Sequence, residues 1–117
     1  MDTSPPRTYD EFCTRFPGLA QAWEALGTTA RACGPLRGRD VSLLKFALAV
    51  GAGLEGAVHS AARKALAADV DVRELEQVIA LAASTLGLPR TVAAWTWLRD
   101  VAGDPGSGAL APGPTAA

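Results

Sequence analysis

The only histidine of this chain, His59, lies four residues after Glu55 in the segment GAGLEGAVHSAARKAL, residues 51–66. Side chains at this spacing are neighbours on a helix. An imidazole beside a carboxylate can donate and accept protons near neutral pH. Arg63 continues the same ladder one turn further on. Glu55 and His59 are therefore the first candidates for acid–base chemistry.

The position of His59 on the helix leaves two interpretations open. On a helical wheel, Glu55 lies at the edge of an apolar arc that includes Val58 and Ala62, and His59 lies just outside it. A histidine at the border of a core suits a cleft, where burial and a carboxylate can tune it. The same spacing also describes a solvated Glu–His–Arg helix face.

A metal site is a further possibility for the Glu55–His59 pair. Such a site needs three or four ligands, and the chain has no second histidine. A metal would therefore require Glu or Asp residues from other helices or subunits. We expect no metal and no cofactor.

Cys13 and Cys33 are twenty residues apart, and neither belongs to a Cys-x-x-Cys motif. Free cysteines often behave as small buried hydrophobic residues, and a peroxidatic role is the alternative. Two cysteines without a disulfide framework favour a reducing, cytoplasmic location.

The composition excludes several classes of protein. A formal net charge of −1 and the lack of a basic stripe disfavour nucleic-acid binding. No apolar run reaches the roughly 18 residues of a membrane span. A glycine-rich phosphate loop after a strand and a Gly-x-Ser-x-Gly motif are both absent.

The apolar periodicity predicts an all-α compact bundle of about six helices, the first over 9–16 and the second over 18–33. Asp40 is expected to cap the third helix, and Asp69 to stop the fourth in a left-handed conformation. Asp71 and Glu74 have capping-box spacing, and Pro89 suits a first turn. One domain over 1–103 and a flexible Gly/Pro/Ala tail over 104–117 are expected.

Packing expectations follow from the large and small apolar residues. Tyr9, Phe12 and Phe16 are expected to fix the first helix onto the body, and the third helix to be buried on nearly all sides. A chain of 117 residues with alanine-rich helices buries little area alone. We therefore expect a homo-oligomer.

Three segments together resemble the carboxymuconolactone decarboxylase and alkylhydroperoxidase D superfamily. They are DVSLLKFALAVGAG, LEGAVHSAARKALAADVDVRELEQVIALAASTLGLPR and TVAAWTWLRDV, which span roughly 40–101. The resemblance implies an alkylhydroperoxidase D-like helical fold and a homotrimer or homohexamer.

The redox branch of this superfamily carries a Cys-x-x-Cys pair with a histidine four residues after the second cysteine. Counted back from His59, those positions are Ala52 and Glu55, so both thiols are missing. Without them the dithiol peroxidase mechanism has no redox pair.

The decarboxylase branch lacks the cysteine pair and is similar around Glu55 and His59. Its reaction, cofactor-free loss of CO2 from a lactone acid, implies Glu55 and His59 as catalytic groups and Arg63 and Arg90 as substrate-binding groups. The leading hypothesis is a lyase-type enzyme acting on a small acidic organic molecule. The alternatives are an antioxidant protein using atypical cysteines and a non-catalytic oligomeric binding protein.

Overall fold

The computed structural model describes residues 6–104, 108–111 and 113. Within these residues the chain forms six helices and no strand, which confirms the predicted all-α fold. They are α1 (Arg7–Arg15), α2 (Pro17–Arg31), α3 (Gly38–Ala52), α4 (Glu55–Ala67), α5 (Val72–Leu86) and α6 (Leu88–Ala102). None of these helices is long and apolar enough to cross a bilayer.

Local signals in the sequence set most helix ends. α3 ends at Gly53, whose φ of 68° lies in the left-handed region. Asp69, just past the end of α4, has a φ of 63°, as its predicted role in stopping the helix requires. The capping box of Asp71 and Glu74 at the start of α5 is confirmed, and so is Pro89 in the first turn of α6.

The predicted cap at the start of α3 is wrong. α3 begins at Gly38 after Arg37, so Asp40 already lies in the first turn, where its N–H donates to the Arg37 carbonyl at 3.2 Å. A carboxylate in this turn still stabilises the helix, because it lies near the positive end of the helix dipole.

The core lies among α3, α4, α5 and α6, which pack against one another. Phe46, Val58 and Leu75 are fully buried at its centre. Each of these four helices contributes buried apolar residues, and together they form one cluster. The remaining members are Ala49, Val50, Ala62, Ala65, Val70, Ile79, Ala94 and Leu98.

The first two helices, which we call the α1–α2 arm, have no buried residue. Phe12 and Phe16 contact each other, with ring centroids 5.0 Å apart. Tyr9, Phe12 and Phe16 are each more than two-fifths exposed, so the expected attachment of α1 to the body is wrong. The aromatic residues of α1 instead face an open cavity between the arm and the body.

The expectation that α3 is buried on nearly all sides is also wrong. Leu48 is 72% exposed and Leu44 is nearly half exposed, and both line open cavities between α3 and the α1–α2 arm. The apolar pattern of α3 therefore exceeds what this chain alone can bury. The expected tail over 104–117 falls mostly outside the described residues.

Candidate functional site

Glu55 is the first residue of α4, because the left-handed Gly53 ends α3 and Leu54 then adopts an extended conformation. The carboxylate of Glu55 thus lies at the positive end of the α4 dipole, which stabilises a negative charge. One turn later, His59 lies on the same face of the helix. The predicted pair is therefore at the N-terminal end of α4.

The imidazole of His59 has a direct partner on another helix. Its Nε2 lies 3.0 Å from Oδ2 of Asp100 on α6. The His59 side chain is 23% exposed, whereas Asp100 is half exposed. α4 and α6 pack against each other, and their fully buried Ala62 and Ala94 allow a close approach. The Asp100 carboxylate fixes the orientation of the imidazole ring.

Glu55 completes a group of three side chains that we call the Glu55–His59–Asp100 cluster. One ligand atom from each residue lies within 4.8 Å of the others. Among residues 6–104, Asp100 is the hydrogen-bond partner of the His59 ring, and Glu55 stays beyond hydrogen-bonding distance. The arrangement offers a ring that can transfer protons, a carboxylate that orients it and a second carboxylate nearby.

The two arginines predicted to bind substrate have different surroundings. Arg63 is half-buried, one turn beyond His59, and it forms no ion pair within the described part of the chain. Arg90 donates from Nη1 to the Gly51 carbonyl at 2.9 Å and covers the Cα of Gly53. The structure therefore gives Arg90 a part in holding the C-terminal end of α3. Its binding of substrate stays a prediction.

A family model described as the carboxymuconolactone decarboxylase family matches residues 17–100, from the start of α2 to Asp100 near the end of α6. The chain belongs to the carboxymuconolactone decarboxylase family. The match contains Glu55, His59 and Asp100, so all three lie within the part shared with the family model. Comparisons with curated proteins and with solved structures found no match.

Sequence reasoning missed Asp100 in this decarboxylase-family chain. A signal for its position existed in the sequence, because Asp100 follows the apolar residues Ala93 and Trp97 at helical spacing. The pattern thus placed an acidic residue at the edge of a packed face. It could not show that this face of α6 meets His59, which lies 41 positions earlier.

Two sizeable cavities lie elsewhere in this decarboxylase-family chain. One of about 610 Å³ lies between the α1–α2 arm and the body, with Ala57 and Ala61 of α4 in its wall. Another of about 810 Å³ lies beside α5 and α6 and is lined in part by Trp95. Neither is lined by a residue of the Glu55–His59–Asp100 cluster. Within this single chain, the Glu55–His59–Asp100 cluster lies on the outer surface formed by α4 and α6.

The two cysteines of the family member are both free. Cys13 is half-buried on α1, and its side-chain hydrogen bond with Tyr9 is the largest cause that raises the pKa of that tyrosine. Cys33 is exposed after α2, and its thiol donates to the Thr29 carbonyl at 3.2 Å. Both thiols therefore have local contacts outside the Glu55–His59–Asp100 cluster.

Proposed function

We propose that this protein is a lyase-type enzyme that acts on a small acidic organic molecule, with His59 as its acid–base group. The observation that supports this most is the 3.0 Å contact between His59 Nε2 and Asp100 Oδ2, with the Glu55 carboxylate nearby. A carboxylate that accepts from one ring nitrogen fixes the tautomer and leaves the other nitrogen for proton transfer.

In the proposed decarboxylation, the bond between the substrate carboxylate and its neighbouring carbon breaks and CO2 leaves. The electron pair stays on that carbon as an enolate, delocalised onto an adjacent carbonyl. His59 then donates a proton from Nδ1 to the carbon, and the neutral ring regains a proton from solvent. Asp100 stabilises the charged ring before the transfer.

Arg63 is proposed to hold a substrate carboxylate. A guanidinium offers paired donors that match a carboxylate. Arg63 lies one turn from His59 and has no ion pair in the described ranges that would compete for it. Arg90 is proposed as a second anion-binding group, through the N–H groups that its bond to Gly51 leaves free.

The enzyme is further proposed to be a homotrimer or homohexamer whose neighbouring subunit encloses the cluster. Leu54, directly before Glu55, is 60% exposed, and Leu88 at the start of α6 is 66% exposed. Leu54 is a large exposed side chain beside the open polar cluster, which favours an interface there, and Leu88 adds exposed apolar surface at the other end of α6 from Asp100. A second copy on this side would turn the open cluster into a cleft from which water is excluded.

A panel of lactone acids and keto acids tests the proposed reaction, with CO2 release and solvent deuterium exchange as the two measurements. The variant His59→Gln should lose roughly 10²–10⁴-fold in rate, the usual contribution of an acid–base group. Asp100→Asn should lose less, because the ring remains but its tautomer is no longer fixed. Glu76→Gln on α5 is the matched control and should keep the wild-type rate. A His59→Gln protein with wild-type exchange and CO2 release would reject the proposal.

A further inference from the structure

We propose that Glu55, His59 and Asp100 form a binding site for one divalent transition-metal cation. The sequence showed only two of these ligands, and Asp100 on α6 supplies a third. His59 Nε2 and Asp100 Oδ2 are 3.0 Å apart. Metal bonds of about 2.0–2.2 Å place adjacent ligand atoms roughly 3 Å apart. These two atoms are therefore already at the separation that one shared ion requires.

The third ligand needs only a side-chain adjustment. Every pair of the three ligand atoms lies within 4.8 Å. Glu55 is exposed, so its carboxylate can rotate toward the other two without moving the backbone of α4. The ligands come from two helices that pack against each other, which fixes the backbone on which the site is built.

The charges of the cluster also favour a cation. Glu55 and Asp100 bring two carboxylates close together, and like charges at this distance repel each other. Neither carboxylate pairs with a lysine or arginine among the residues that the structure describes. Arg99, next to Asp100 in sequence, pairs instead with Asp104 at 2.6 Å and lies over the ring of Trp95. A bound cation would remove the repulsion.

The ligand set indicates the class of ion. One imidazole with two carboxylates is a mixed nitrogen and oxygen ligand set. Such a set suits Mn²⁺, Fe²⁺ or Zn²⁺ better than soft ions such as Cu⁺, which prefer sulfur ligands. Three protein ligands leave at least one coordination position open to water or another small molecule. The proposed site therefore keeps an exchangeable coordination position, unlike a structural metal site in which protein ligands fill every position.

A cation at this site would oppose the proton chemistry proposed above. A ring that binds a metal through Nε2 keeps its remaining proton at Nδ1 and has no lone pair free to accept another. This consequence rests on the proposed function, but binding itself does not. Metal is thus expected to lower turnover, and the chelator-treated enzyme is expected to be the more active form.

The test uses the full chain without a histidine tag, stripped of metal and titrated with Mn²⁺ in the absence of substrate. Calorimetry should give one ion per chain. Paramagnetic Mn²⁺ should broaden the ring signals of the single histidine before any other side chain. Glu55→Gln, His59→Gln and Asp100→Asn should each weaken binding at least about tenfold, since loss of even an outer partner of a metal ligand costs that much.

Two controls keep the result interpretable. Glu24→Gln on the α1–α2 arm should bind as the wild type does, and circular dichroism should show that all variants keep their helices. Unbroadened His59 signals, or equal affinity in the three cluster variants and the wild type, would overturn the metal site. Binding without any turnover in chelator would support the site and reject the enzyme function.

Discussion

Glu74 joins the beginnings of two helices through Arg39. The Arg39 guanidinium, in the first turn of α3, donates to Oε2 of Glu74 at the start of α5. Oε1 of the same carboxylate accepts from the Asp71 N–H at 3.0 Å and closes the capping box. These contacts, the Arg39 hydrogen bond most of all, lower the pKa of Glu74 in the folded protein.

A lowered pKa in the folded state makes the contribution of Glu74 depend on pH. The stabilisation is present above the pKa of the unfolded chain and is lost as the pH falls through the lower folded value. Glu74→Gln should therefore reduce the urea midpoint at neutral pH and reduce it less at about pH 3, below the usual glutamate range. Glu76→Gln, on the same helix, is the control. An equal loss at both pH values would show that charge is not the cause.

Gly53 and Gly56 should respond to alanine with opposite signs. Gly53 has a left-handed φ, and a Cβ there would collide with the guanidinium of Arg90. Gly53→Ala should therefore lower the free energy of unfolding by at least about 1–2 kcal/mol. Gly56 is in the first turn of α4 with open space around it, so Gly56→Ala should raise the free energy of unfolding, by at most about 0.5–1 kcal/mol. Urea unfolding of the two variants decides this, and a stable Gly53→Ala protein would contradict the assigned end of α3.

Two phenylalanines test where the core lies. Phe46 is fully buried, and Phe46→Ala should cost about 3–5 kcal/mol of unfolding free energy. Phe16 is 45% exposed on the arm side, so Phe16→Ala should cost much less. Chemical denaturation at low protein concentration measures both. Equal losses would mean that the arm is buried in the protein as it exists in solution.

Several helix ends were predictable from sequence because their causes are local. Asp69 acts through its own backbone conformation, and Asp71 and Glu74 act within four residues. The partner of His59 was not predictable in this way, because Asp100 reaches it only after α4 and α6 pack. The prediction that aromatic residues fix α1 onto the body failed for a related reason. Periodicity shows which face is apolar, and it does not show which surface covers that face.

The mass of the protein in solution tests the proposed oligomer. One chain has a mass of 12.0 kDa. Light scattering coupled to size exclusion should give at least a trimer at micromolar concentration, because exposed leucines such as Leu54 and Leu88 are expected to be covered by neighbouring subunits. A mass of a single chain would contradict this prediction.

The free cysteines should not support dithiol peroxidase activity. Ala52 and Glu55 occupy the positions at which the redox branch carries its thiols, and Cys13 and Cys33 lie outside the cluster. Hydroperoxide consumption with a dithiol reductant should therefore be the same in the wild type and in a Cys13→Ser/Cys33→Ser variant. Activity that disappears in the double variant would restore the antioxidant alternative.

The α1–α2 arm has a consequence for how the molecule opens. Backbone hydrogen bonds resist exchange with deuterated solvent only as far as surrounding side chains resist unfolding. The arm has no buried side chain, whereas α3 to α6 share one core. In an isolated chain, the amides of α1 and α2 should therefore exchange long before those of α4 and α6, through a local opening that leaves the core intact. Slow exchange in the arm would show that another molecule protects it.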